Sequence, residues 1–235
     1  MAATRRKVLL VDLDPQGNAT MASGVDKYQV ERTAYELLVD ELPVKEVLIS
    51  ETAGGYDLIA ANSDVTAAEI RLLEFFAREI RLRNALNAVR DQYDYIFIDC
   101  PPSLNLLTVN AMSAADSVLV PMQCEYFALE GLTALVDTIS KLAAVVNPEL
   151  KIEGILRTMY DHRNRLSNDV SDQLKQHFGD KVYRTVIPRN VRLAEAPSFG
   201  TPAMYYDKSS VGAKANLALA GEMLRREEQA SLESA

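Results

Sequence analysis

VLLVDLDPQGN, residues Val8 to Asn18, is an apolar run that ends in two carboxylates, a proline and a glycine. Val8, Leu9, Leu10, Val11 and Leu13 are too continuous for a strand with one wet face, so the run reads as a buried parallel strand that stops at Asp14-Pro15. Ligands of open α/β sheets bind at the carboxyl ends of strands, which makes that stop a candidate site. The same grammar recurs twice. YIFIDCPPS, Tyr95 to Ser103, sets Asp99 and a proline pair after an apolar run, and SVLVPMQCEY, Ser117 to Tyr126, sets Pro121. Three strands thus deliver polar or turn-forming residues to one edge.

Composition fits an ordinary soluble domain: 235 residues, 48% hydrophobic and 25% charged, enough to bury a full core as a single domain over 1–235. No window reaches the ~18 uninterrupted apolar residues of a membrane span, and the basic N-terminus lacks the apolar core of a signal peptide, so the expected location is the cytosol, with no membrane partner. Cys100 and Cys124 show no CxxC spacing and suit a reducing compartment. A net charge of −8 excludes a uniformly basic coat. Between Arg157 and Arg192, however, eight Lys/Arg face four Asp, a local excess that reads either as a solvated face or as an anion-binding patch.

Outward from the opening strand, Asn18 to Asp26 suits a turn or short helix. Thr33–Asp40 and Val44–Ser50 read as short helices separated by Pro43, and Tyr56–Asn62 as a strand. Val65, Ala68, Leu72, Phe75 and Phe76 fall at helical spacing, and Leu82, Ala85, Leu86 and Val89 continue it in a second helix or a bent first one. Then come strand Tyr95–Asp99, helix Leu104–Ala115, strand Val118–Pro121, a long helix Leu129–Val146 stopped by Asn147-Pro148, and strand Ile152–Thr158. A helix Asn168–Phe178, strand Val182–Ile187, a proline-punctuated loop and a closing helix through Leu224 complete the chain, with a frayed tail expected over 227–235. Strands alternating with helices predict an α/β fold with a doubly wound, mostly parallel sheet and helices on both faces.

A strand-terminal aspartate commonly caps the following helix. Two strands that both end in Asp followed by Pro point instead to a shared site, and hard carboxylate oxygens suit Mg²⁺. Asp12 and Asp14 lie two apart, but Pro15 turns the chain, so Asp14 is assigned to the site and Asp12 to structure.

VLLVDLDPQGN, YDYIFIDCPPSLNLLTVNAM and VIPRNVRLAEAPSFGTP closely resemble the ParA/MinD family of deviant Walker ATPases, in particular its ParA (Soj-like) chromosome-partition branch; the likeness runs from about Arg6 to Leu224. The resemblance implies a P-loop NTPase-like fold and a partitioning ATPase that uses ATP and Mg²⁺ and forms an ATP-dependent homodimer. It also implies binding to double-stranded DNA without sequence preference, in the cytoplasm at the nucleoid, and stimulation by a ParB-type centromere-binding protein. By the same likeness Asp14 positions the attacking water, and Asp99 is the Walker B carboxylate near Mg²⁺, followed by Pro101-Pro102 as the second switch. Met159, Tyr160, Pro188, Arg189 and Asn190 lie where adenine is held, and Arg163 and Arg192 match arginines that contact DNA phosphates.

One departure stands out. The family opens with a strand, a KGGxGKT/S loop and a helix, whereas no Gly-Lys dipeptide occurs in this sequence. That loop supplies backbone N–H groups and a lysine to the phosphates and a hydroxyl to Mg²⁺. MAATRRKVLLVD enters the family pattern at the end of its first helix, so a misassigned or truncated start is the expectation, with roughly one strand–loop–helix unit of about 30 residues missing. Its loss is expected to leave two neighbouring strands with unpaired edges, a chain that folds poorly alone and no ATP hydrolysis. The alternative is a relative without a P-loop that binds DNA or partners without ATPase activity. An unrelated Rossmann oxidoreductase lacks support, because no two glycines are spaced G-x-G, and there is no G-x-S-x-G elbow.

Overall fold

The computed structural model describes residues 1–233. Its N-terminal half is built on β1 (Val8–Asp12), β2 (Leu48–Ile49), β3 (Asp57–Ile59) and β4 (Tyr95–Asp99), in spatial order β2-β3-β1-β4. β1 pairs in parallel with both β3 and β4, and Leu9 and Val11 are wholly buried, as its continuous apolar run requires. Five helices surround this sheet: α1 (Asn18–Ala22), α2 (Ala34–Leu38), α3 (Val44–Val47), α4 (Val65–Leu72) and α5 (Arg81–Asn87). Leu37, Leu38, Leu72 and Leu82 join Leu9 and Val11 in one core.

The C-terminal half contains α6 (Leu106–Ala114), β5 (Ser117–Gln123), α7 (Ala128–Val146), β6 (Lys151–Tyr160), α8 (Arg165–Phe178), β7 (Val182–Pro188), α9 (Val191–Glu195), α10 (Ala203–Tyr206) and α11 (Val211–Glu233). Its strands form a second, wholly parallel sheet in the order β5-β6-β7. Parallel strands linked by helices make this a P-loop NTPase-like α/β fold, the class expected.

Three features refine the expected fold. First, its mostly parallel strands fall in two groups: β4 pairs only with β1, and β5 only with β6. Ile96, Phe97 and Ile98 on β4 are accordingly half-buried where their counterparts on β1 are mostly enclosed. This matches the expectation that two neighbouring strands carry unpaired edges. Second, the helix expected over Val44–Ser50 ends at Val47, because Leu48 and Ile49 pair antiparallel with β3; two apolar residues carry no period, and pairing decides. Third, the tail expected to fray from residue 227 is helical through Glu233, and the Tyr95 hydroxyl donates to the Glu227 carboxylate. The last two positions of that expected tail, 234–235, lie outside the described residues. Among the described residues no helix is long and apolar enough to cross a membrane.

Candidate functional site

β1 and β4 lie side by side with Asp12 opposite Asp99, and the Leu13 N–H extends the ladder by donating to the Asp99 carbonyl at 2.9 Å. Register alone therefore brings the carboxylates of both strand ends together. Asp12 is wholly buried and accepts from the Thr20 N–H (2.8 Å), the Thr20 hydroxyl (2.7 Å) and the Asp14 N–H (3.1 Å). The Thr20 oxygen in turn accepts from the Ala61 N–H at 2.9 Å, so one buried network ties β1 to α1 and to the exit of β3. Burial pushes the Asp12 carboxyl up, while its bonds from Thr20 pull the other way. Asp12, which the sequence assigns to structure, is thus taken up by bonds within the protein.

Asp14 lies just beyond the strand and is half-buried. One of its oxygens accepts from the Gln16 N–H at 2.9 Å, and its carbonyl accepts from the Gly17 N–H at 2.8 Å. Gly17 is required here: its φ is +59°, and a Cβ would meet the Ala61 carbonyl oxygen at 2.7 Å. The turn leaves the rest of the Asp14 carboxylate for a ligand.

Asp99 closes β4. Partial desolvation first, then the charges of Asp12 and Asp14, push its carboxyl up to about 6, although it keeps contact with water. Burial first, then the charges of Asp99, Asp12 and Asp14, push the Cys100 thiol up to about 12, which disfavours the reactive thiolate. Pro101 is buried, and Asn105 starts α6 by accepting from the Thr108 N–H at 3.0 Å while its amide donates to Glu69 on α4. No basic side chain among the described residues forms an ion pair with Asp12, Asp14 or Asp99.

This donor set fits a hard divalent cation. Uncompensated carboxylate charge favours it, and no cluster of three or more His, Cys, Asp or Glu among the described residues forms a protein cage. Mg²⁺ matches that sparseness, since it keeps most of its ligands as water and phosphate oxygen.

The second sheet brings together the other predicted residues. Tyr160 and Pro188 are register partners on β6 and β7, and the Arg189 N–H donates to the Tyr160 carbonyl at 3.2 Å. Met159 sits at φ 51° and is 43% exposed, a strained non-glycine position at the strand exit. Tyr160 donates its hydroxyl to Asn168 at 2.7 Å, and Asn190 caps α9 by accepting from the Leu193 N–H. Met159, Tyr160, Pro188, Arg189 and Asn190 thus form one rim. The two halves meet at glycines: Gly24, after α1, approaches Gly200 so closely that a Cβ on Gly24 would lie 2.7 Å from the Gly200 carbonyl oxygen.

Arg163 lies in the loop beyond β6 and Arg192 in α9 beyond β7, both exposed. Arg163 grips Asp161 through Nε and a terminal nitrogen, both at 3.0 Å. Arg192 meets Glu195 at 2.9 Å and Asp207 at 3.5 Å. Sequence reading missed Thr20, Asp161, Glu195 and Asp207. Of these, Asp161, two residues before Arg163, and Glu195, three residues after Arg192, left a visible signal.

A family model described as an AAA domain, AAA_31, matches residues 1–152. The chain belongs to the ParA/MinD family, on its ParA/Soj branch. It is 62% identical over 231 residues to an uncharacterized protein of Pseudomonas putida KT2440, covering 98% of this chain and 88% of that one. It is 50% identical over 229 residues to the chromosome partitioning protein ParA of Caulobacter vibrioides NA1000, covering 97% and 86%. Among solved structures, cobyrinic acid a,c-diamide synthase of Mycobacterium smegmatis with bound ATP analogue and magnesium superposes with a TM-score of 0.84 at 36% identity, covering 95% of this chain and 84% of that one.

Proposed function

We propose that this chain is a partitioning ATPase of ParA type, acting on ATP with Mg²⁺, binding duplex DNA without sequence preference as a nucleotide-dependent dimer, and answering to a ParB-type centromere-binding partner at the nucleoid. The observation that carries the reading is the group of carboxylates where β1 and β4 end: Asp12 is paired with Asp99 in register, and Asp14 lies two residues on and near enough to raise the Asp99 carboxyl, with no basic partner among the described residues. The ParA relatives and the magnesium- and nucleotide-bound structural neighbour support it.

Mg²⁺, when bound, would neutralise charge on the phosphates. Asp99 would hold it through water, aided by a carboxyl that a nearby cation keeps ionised. Asp14, restrained by its turn to Gly17, would orient the attacking water. Asp12 holds the start of the Asp14 turn through the Asp14 N–H and anchors it to Thr20. Met159, Tyr160, Pro188, Arg189 and Asn190 would line the adenine side, and Arg163 and Arg192 would meet DNA phosphates.

The phosphate-binding part of the family is a Gly-Lys loop, and this sequence carries no Gly-Lys dipeptide. The 235 residues are therefore expected to turn over ATP only when joined to a strand–loop–helix unit, for which β4 and β5 each keep one unpaired edge. The test compares ATP hydrolysis by the chain alone and by the chain fused to such a unit. Turnover confined to the fused protein, abolished by Asp14→Ala, is the expected result. A fused protein that binds DNA identically with and without ATP and hydrolyses none would favour a DNA- or partner-binding module instead.

A further inference from the structure

Resting on the reading that Arg163 and Arg192 face DNA, we propose that Asp161, Glu195 and Asp207 act as an electrostatic latch on these arginines and set how tightly this edge takes up a duplex. The exits of β6 and β7 lie side by side through the Tyr160–Pro188 register and the Arg189-to-Tyr160 hydrogen bond. Each exit carries one of the arginines, and each arginine already holds a carboxylate. Asp161 occupies the guanidinium of Arg163 in bidentate fashion, the geometry by which arginine takes a phosphate. Arg192 is engaged from two sides, by Glu195 three residues on and by Asp207 beyond α10.

These pairs are not needed by the fold. The arginine side chains are 81% and 52% exposed, and exposed ion pairs contribute little to stability. Their effect falls on the field outside the protein. Of Arg163, Arg165, Arg189, Arg192 and Lys208 in these loops and their flanks, three are met by ion pairs, Arg163 by Asp161, Arg165 by Asp169 and Arg192 by both Glu195 and Asp207. The two arginines read as facing DNA are thereby met in space by three carboxylates. Arg163 holds the Asp161 carboxyl down at about 2, so the acid stays charged at any working pH. A duplex must exchange carboxylate for phosphate at each arginine, and the released carboxylate then repels the strand that displaced it.

Asparagine is the discriminating replacement. It keeps the Oδ1 acceptor that takes the Arg163 backbone N–H at Asp161 and the Ser209 and Ser210 N–H groups at Asp207, and replaces the charged Oδ2 that faces the guanidinium with a neutral amide nitrogen that cannot accept. The experiment titrates a labelled random-sequence duplex, with ATP and Mg²⁺ present, with the chain fused to a phosphate-binding strand–loop–helix unit over a KCl series, for wild type, Asp161→Asn, Asp207→Asn and the control Asp172→Asn. Asp172 pairs with Lys175 on α8, away from both loops, and reports the effect of net charge alone. The latch predicts about threefold to tenfold tighter binding for each of the first two variants at low salt, with the log–log salt dependence steeper by up to about 0.9 per arginine freed. Asp172→Asn stays within about twofold of wild type. Wild-type binding with all three variants alike overturns the latch and leaves the DNA reading standing. Absence of binding by every protein, even at the lowest salt, overturns the DNA reading and the latch with it.

Discussion

The two sheets end on opposite electrostatic terms. At the exits of β1 and β4, Asp12, Asp14 and Asp99 gather with no basic partner, and the strain surfaces in an Asp99 carboxyl pushed up to about 6. At the exits of β6 and β7, Arg163 and Arg192 are each already matched by carboxylates. Uncompensated charge gains from any cation or proton that arrives, whereas compensated charge yields only to a competitor. The first edge is thus built to respond to Mg²⁺ and pH, and the second to ionic strength.

The largest effect that breaks the comparison falls on the first edge. In the form joined to a phosphate loop, Asp14→Ala should lower ATP turnover by about 10²–10⁴, the usual worth of a positioned proton acceptor, while thermal stability moves little. Steady-state hydrolysis with parallel melting curves checks it, and wild-type turnover would remove Asp14 from the site. Asp12→Ala should do the reverse. It orphans the buried Thr20 donors and should cost roughly 2–4 kcal/mol in urea unfolding of the chain itself. A stability unchanged by this substitution would contradict the structural role of Asp12.

On the second edge, Arg192→Glu should weaken duplex binding about tenfold at moderate salt and flatten its salt dependence, since it removes one phosphate contact and adds repulsion. Titration across a KCl series reads both quantities, and an unchanged affinity would sink the DNA role. The smallest effect returns to Asp99. A folded-state carboxyl held at about 6 binds protons more tightly than in the unfolded chain, so stability falls as pH rises from about 4 through about 6 and stays low above it. Asp99→Asn should flatten that fall and leave the protein more stable near neutrality by about 1 kcal/mol, once solvent contact is allowed for. Unfolding midpoints at pH 4.5 and 7.5, in buffers on either side of about 6, show whether the slope is lost.

How far the sequence revealed these edges depended on which interactions were local. Tyr95–Asp99 has the same bounds in sequence and structure because five residues of one period, closed by Asp and Pro, leave a strand no other choice. Asp14 and Asp99 were legible for the same reason, since strand ends of a parallel sheet point to one side. The unpaired edges of β4 and β5 were legible only as a departure from a family pattern. β2 was not legible, because a two-residue strand is made by its partner and not by its own propensity. Nor were Thr20 and Asp207, whose roles come from chain segments brought together across loops. The tail from residue 227, rich in Glu, Gln and Ala, carried helix propensity without an apolar stripe. Continuation of α11 supplied the rest.

The most direct test of the central claim is a carboxyl NMR titration of Asp99 in the 235-residue chain, with and without millimolar Mg²⁺. A midpoint near 6 that moves down when Mg²⁺ is added is the predicted result, because the cation compensates the charge that Asp12 and Asp14 impose. A midpoint in the ordinary carboxylate range of about 4, indifferent to Mg²⁺, would contradict it.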